Sequence, residues 1–188
     1  MARGVRDRMV RSAIVLLAKR GYQATSFSEV LAESGAPRGS VYHHFPEGKD
    51  QLIAAAIEVA GARAVALLDG LDGAGAVGIV DGFMAMWRAV LEVSRFSAGC
   101  SVLAVTVSAD STDLLGRAGE IFRAWQARLA ELFAGAGLPP AEAGSFATLL
   151  IAASEGAVVL ARAEQSFAPF DAVHAGLRRS VAGHGPDD

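Results

Sequence analysis

Within the five residues Gly39-Ser40-Val41-Tyr42-His43 the chain gathers a small hydroxyl, a phenol and an imidazole beside a glycine, all three suited to donating hydrogen bonds to phosphates and base edges. Val41 and Phe45, four apart, anchor this stretch inward, while Gly39 and His43, flanked by Ser40 and Tyr42, project to the opposite side. The chemistry implied is recognition. The signals for catalysis are weaker. Gly73, Gly75 and Gly78 match the dinucleotide pattern, but they follow a helix and no βαβ unit surrounds them, so the segment reads as a hinge. His43, His44 and Glu47 lie close together, yet Pro46 breaks the helix that would align them on a metal. There is no Gly-x-Ser-x-Gly elbow and no Gly-x-x-x-x-Gly-Lys loop. Cys100, the one cysteine, could sense oxidation but more simply behaves as a small buried hydrophobe. The sequence is therefore read as a non-enzyme with no metal and no cofactor.

Two elements must position the donors. Ser26 opens a capping box: its hydroxyl can accept from the N–H of Glu29, whose carboxylate can reach back to the cap. Phe27, Val30 and Leu31 follow on one helical face, and Gly35 stands where the chain leaves the helix with positive φ. Pro37 suits the first turn of a second helix, which Pro46 ends after about two turns, a length that fits a major groove about 12 Å wide. The expected arrangement is a helix-turn-helix. A preceding helix carries Val10, Ala13, Ile14 and Leu17 as an apolar stripe closed by Gly21, with Arg3, Arg6, Arg8 and Arg11 free to meet phosphates or simply to form a solvated face.

Residues 1–50 carry a net charge of +3 and residues 51–188 of −6, so the basic part coincides with the motif. A length of 188 with 52% hydrophobic residues suits one large or two small domains, and one cysteine excludes a disulfide framework. The opening residues lack the apolar core of a signal peptide, and the longest apolar runs are about half a membrane span, so a cytoplasmic, non-membrane protein is expected.

The remainder reads as helices. Leu52, Ile53, Ile57, Ala60, Ala64, Leu67 and Leu68 mark a long one, and Gly70–Gly78 breaks it. Helical periods then run from Ile79 through Leu91 and from Leu114 through Phe133. Residues 99–109 are β-branched enough for a strand, but with no partner strand they are read as a short helix. Pro139 and Pro140 start a helix to about Gln165 that is apolar nearly all round, and Phe170 to Val181 gives a last amphipathic one. A helix apolar on every side needs cover on every side, which suggests packing against a second copy.

Taken together, Gly21-Tyr22-x-x-Thr25-Ser26, the Val41-Tyr42-His43-His44-Phe45 core and Lys49 after a short turn resemble the TetR family of transcriptional regulators. Gly99-Cys100, Trp125, Glu155-Gly156-Ala157 and Ala161 to Glu164 resemble its LmrA/YxaF-like branch. The resemblance implies an all-α fold of about nine helices: a three-helix DNA-binding domain at 1–48, and an effector-binding and dimerisation domain at 49–188. It assigns Thr25, Ser26, Tyr42 and Lys49 to phosphates, and Arg38, Gly39, Ser40 and His43 to base reading. For Tyr42 the other reading is packing on the first helix of the motif. Pro37 departs from the usual capping Ser or Thr, which affects how the recognition helix enters the groove.

The resemblance also implies an effector pocket, for which Met86, Trp87, Phe96, Cys100, Leu103, Phe122, Trp125, Leu150 and Ser154 are the candidates, although plain core is their simpler role. It implies a homodimer through the last two helices, with Ala153, Gly156, Ala157, Leu160, His174, Leu177, Arg178 and Val181 at the interface. Few charges occur in these stretches, so a neutral or weakly polar effector is expected. The function expected is a repressor that binds a palindromic operator as a dimer and is released by its effector. The rivals are an architectural helix-turn-helix protein without a ligand, and a small-molecule carrier with a vestigial motif.

Overall fold

The computed structural model describes residues 2–182, with side chains from Gly4 onward, so the expectation for the Arg3 side chain lies outside the described residues. Among the described residues there are nine α-helices and no strand: α1 (Ala2–Arg20), α2 (Phe27–Ser34), α3 (Ser40–His44), α4 (Lys49–Asp69), α5 (Ala76–Ser94), α6 (Ser101–Thr106), α7 (Thr112–Gly135), α8 (Pro140–Glu164) and α9 (Ala168–Val181). The segment with β-branched content is helical, as α6. Cys100 caps it, its Sγ accepting from the N–H of Leu103 at 3.3 Å.

The chain divides into two compact units, Met1–Arg63 with Cys100–Phe122, and Ala64–Gly99 with Arg123–Asp188. This differs from the boundary expected at 48/49. The first unit takes in most of α4, all of α6 and the first half of α7, because α4 continues unbroken out of the motif and α6 packs on α1.

In the first unit, α1 packs on α2 through Met9, Val10, Ala13 and Leu17, with Val30, Val41, Phe45, Leu52, Ile53 and Ile57 completing a buried core. Gly61 belongs to this packing: a Cβ there would come within 2.7 Å of Ile121 Cγ2, so a side chain larger than hydrogen collides with α7. Arg117 closes the same unit outside, pairing with Glu58 at 2.6 Å and Asp113 at 2.8 Å.

In the second unit, α5, α8 and α9 pack on one another. Ile79, Val80, Phe83, Met84, Trp87 and Leu91 form the buried stripe of α5, and Phe170, Leu177 and Val181 that of α9. Arg88 pairs with Asp171, and its guanidinium lies 4.4 Å from the Phe167 ring centroid. Arg95 and Phe96 both have positive φ at the end of α5, and Phe96 is held there by the Phe167 ring at 4.7 Å.

Candidate nucleic-acid interface

Ser26 caps α2 as its position suggests, its hydroxyl accepting from the Glu29 N–H at 3.3 Å. The reciprocal half of the capping box does not form. The Glu29 carboxylate instead accepts from Arg20 Nη1 at 2.6 Å, tying α2 to the end of α1. Gly35 ends α2 at φ 63°, with its N–H on Leu31 O, so the left-handed conformation that a Cβ would strain lies where expected.

The second helix is shorter than expected. Pro37 precedes it in a turn closed by the Ser40 N–H on Pro37 O at 2.9 Å, and regular helix runs only over Ser40–His44. The Gly39 cap has no side chain to hold the first N–H groups, and Pro46 forbids continuation, so little more than one turn remains. Val41 and Phe45 are nonetheless 1% and 0% exposed, and they fix which side of the segment faces outward.

That side carries Arg38, Gly39, Tyr42 and His43, all exposed, and a half-buried Ser40. Tyr42 is 71% exposed and meets Phe27 only edge-on, at 6.0 Å between ring centroids, so its hydroxyl is free of the packing considered for it. Ser40 donates its hydroxyl to Pro37 O at 2.6 Å and retains accepting capacity. A Cβ on Gly39 would meet nothing within 4 Å, so nothing within the chain itself demands glycine there. Arg38 and Tyr42, with Phe27, Ser28, Leu31, Ala32, Ala36 and Val41, line an open groove of about 560 Å³ between α2 and α3. Ser28 is exposed beside this groove and bonds Ser26 Oγ at 2.9 Å; the capping pattern drew attention only to Ser26 and passed over it.

Two residues expected at phosphates are turned inward. Thr25 is 1% exposed and its hydroxyl donates to Gly21 O at 2.8 Å, holding the turn between α1 and α2 closed. Lys49 donates from Nζ to Tyr22 O at 2.8 Å and lies 3.9 Å from the Tyr22 ring centroid. Burial lowers the Lys49 pKa, with neighbouring Asp50 partly opposing. The Tyr22 hydroxyl donates to Asp50 Oδ1 at 2.7 Å, and burial first and that carboxylate second push its pKa up to about 12. Lys49 and Asp50, the first two residues of α4, thus grip the turn that feeds the cap of α2. Tyr22 and Asp50 were not anticipated as a pair, since 28 positions separate them and no local spacing relates them.

The arginines of α1 divide. Arg6 and Arg11 are exposed, Arg6 lying over the Phe45 ring at 5.4 Å, while Arg8 donates from Nε to Ser34 O at 3.3 Å. Among the described residues no group of His, Cys, Asp and Glu is placed to hold a metal; His43 and His44 meet ring to ring at 5.0 Å.

The remaining candidates lie elsewhere. Cys100, Leu103 and Phe122 belong to the first unit; Met86, Trp87, Phe96, Trp125, Leu150 and Ser154 belong to the second. Trp87, Cys100, Trp125, Leu150 and Ser154 are buried, and Met86, Phe96, Leu103 and Phe122 half-buried. Of the residues expected between two copies, Ala157, Leu177 and Val181 are 1%, 5% and 1% exposed within the single chain, their side chains filling the unit's own core. His174, half-buried, and Arg178, still exposed, both pair with Asp81 of α5, at 2.7 Å and 3.2 Å. Gly156 and Leu160 are exposed and Ala153 half-buried. Leu149, Ala152, Val159 and Ala163 join them to make an uncharged stripe along α8 that the sequence reading did not separate from the buried one.

The comparisons with known proteins agree with this layout. Residues 10–56 match the model of the bacterial regulatory proteins of the tetR family, and residues 76–176 that of the LmrA/YxaF-like transcriptional regulator C-terminal domain. The chain is 38% identical to the uncharacterized HTH-type transcriptional regulator Rv0196 of Mycobacterium tuberculosis, over 98% of this chain and 97% of that one. It is 27% identical to the uncharacterized HTH-type regulator YxaF of Bacillus subtilis, over 87% and 88% of the two chains. The crystal structure of a TetR regulatory protein from Rhodobacter sphaeroides superposes with a TM-score of 0.82 at 26% identity, over 92% of this chain and 96% of that one. With an outward-facing recognition segment in the first unit, and the two family models together matched over most of the described residues, the chain belongs to the TetR family of DNA-binding transcriptional regulators, in its LmrA/YxaF-like branch.

Proposed function

We infer that this regulator is a repressor, acting as a homodimer on a palindromic operator and released by a small, mostly apolar effector. The observation that carries the DNA-reading half is the division of α3 and its approach: Val41 and Phe45 are fully buried, whereas Arg38, Gly39, Tyr42 and His43 are exposed together. Arg38, Gly39, Ser40 and His43 read base edges, and Ser26 and Tyr42 bond phosphates. Lys49 acts through the turn it grips, as a positioning residue. Two such segments, one from each copy, enter successive major grooves about 34 Å apart.

The homodimer is supported by α8, which is long and apolar enough by composition to cross a bilayer although only half of that stretch is buried in the chain. Leu149, Gly156, Val159 and Leu160 on its uncovered side form a face that a second copy covers. The apolar effector is supported by the interior of the second unit, where Trp87, Trp125 and Leu150 are buried among few charges. A coupling of about 1 to 3 kcal/mol would weaken operator binding by roughly 5- to 150-fold. This assigns the protein to the cytoplasm, where its operator is.

The test is footprinting on the DNA that flanks the protein's own gene. One short palindrome protected by a dimer supports the reading. Uniform protection without sequence preference would replace it with an architectural role, and failure to retard any DNA would refute it.

A further inference from the structure

Trp87 lies on α5 in the second unit and is 6% exposed, yet among the described residues its indole Nε1 is a buried donor with no hydrogen-bond partner. An indole N–H is a donor only, with a single direction fixed by the ring, and buried tryptophans ordinarily find an acceptor for it. The fully buried Ser154 donates its hydroxyl to Ile151 O at 2.8 Å, and the Trp87 N–H makes no hydrogen bond to the carboxylate of Glu155, the 8% exposed acid of the same unit. Phe83, one turn earlier on the same helix, is 1% exposed and leaves no donor stranded.

A buried donor left without an acceptor costs stability, and such exceptions call for an explanation. A molecule that enters the unit and supplies the acceptor meets this N–H in a low-dielectric setting, where the bond is worth more than in solvent. A site of this kind rejects an isosteric molecule that lacks the polar atom far more strongly than an apolar wall can reject one extra methylene.

From the stranded N–H of Trp87 we propose that the effector is an apolar molecule bearing a carbonyl-type oxygen, which accepts a hydrogen bond from Trp87 Nε1. This rests on the effector reading above and adds a specificity-determining residue to it.

The test uses two flat probes of nearly the same shape, 9-fluorenone, which carries a carbonyl, and fluorene, which has a methylene in its place. Their affinities for the full chain are measured by equilibrium dialysis. Fluorenone is the more water-soluble of the two, so apolar transfer alone favours fluorene. The wild-type chain is expected to bind fluorenone at least about tenfold more tightly. Trp87→Phe abolishes that preference by weakening fluorenone while leaving fluorene bound. A second variant carries 3-benzothienylalanine at position 87, which keeps both rings and replaces the N–H by sulfur. It shows the same loss of preference, and without probe it melts no lower than the wild type.

Equal affinities in the wild-type chain, or a preference that survives in either variant, would overturn the role of Trp87 and leave the apolar effector standing. A benzothienyl variant that melts several degrees lower would also overturn it, since the N–H would then already have a partner. Binding of neither probe would overturn the apolar-effector reading itself, and this inference with it.

Discussion

Tyr22→Phe removes one oxygen from the grip of α4 on the turn that precedes α2. The lost bond joins the phenol to the Asp50 carboxylate at 2.7 Å in a half-buried setting, while the ring remains beneath Lys49 and the Lys49 bond is made to backbone oxygen, so both persist. Bonds to charged groups are worth about 1.5 to 3 kcal/mol when enclosed, and partial exposure with solvent screening brings this one to about 1 kcal/mol. For a chain of this length that loss lowers the melting temperature by about 2 to 4 °C.

The pH dependence supplies an independent check. Burial and Asp50 raise the Tyr22 pKa from 10.0 to about 12, so the folded chain holds this proton more tightly than the unfolded chain. The stabilisation is therefore complete below pH 10 and is lost as pH rises through about 12. Lys49 works in the opposite sense, because its folded pKa is lowered, but it is present in both proteins and cancels in their difference. Urea unfolding of the wild type and Tyr22→Phe at a series of pH values should show a gap that is constant at neutral pH, closes within about one unit above pH 10 and reverses by about pH 12, because the linkage over that rise outweighs a bond of about 1 kcal/mol. A gap below about 0.3 kcal/mol at neutral pH, or one that does not close, would refute the reasoning. The salt slope of operator binding should be unchanged, since no phosphate contact is lost.

Arg38→Ala should weaken binding to the specific operator by about 1 to 3 kcal/mol and relax preference at one base position, as read by competition assays against single-base variants. In Tyr42→Phe the exposed ring remains and one neutral phosphate bond goes; a loss of about 0.5 to 1.5 kcal/mol with an unaltered salt slope is expected in gel retardation. Leu160→Glu sets a carboxylate into the uncharged stripe of α8, and sedimentation should show the monomer at concentrations where the wild type is dimeric; a dimer unaffected by it would exclude that face. Gly61→Ala forces a Cβ against Ile121 and should cost about 1 to 3 kcal/mol in urea unfolding, with partial recovery when Ile121→Val is added.

The helix-turn-helix was legible because its determinants are local. A hydroxyl three residues ahead of an N–H, a glycine at a left-handed position and two anchors four apart each act within one or two turns, and Ser26, Gly35, Val41 and Phe45 behave as such spacing dictates. Most helical segments among the described residues were legible for the same reason, down to α6, whose lack of a partner strand outweighed its β-branched residues, while their total of about nine was what the family resemblance implied. What a side chain finds at a distance was not. Glu29 prefers Arg20 to its own cap, Thr25 and Lys49 turn inward toward Gly21 and Tyr22, and Tyr22 meets Asp50 from 28 positions away. Each of these is a competition between partners that only the packed chain brings within reach.

The limit is plainest on α8. Sequence alone determined that this helix is apolar almost all round and therefore needs cover on more than one side. Periodicity carries no record of which neighbour covers which face, so Ala157 and Leu160 looked alike. Tertiary structure decided between them, burying Ala157 in the unit's own core and leaving Leu160 at the surface, because burial is a property of what packs against a residue and not of the residue itself.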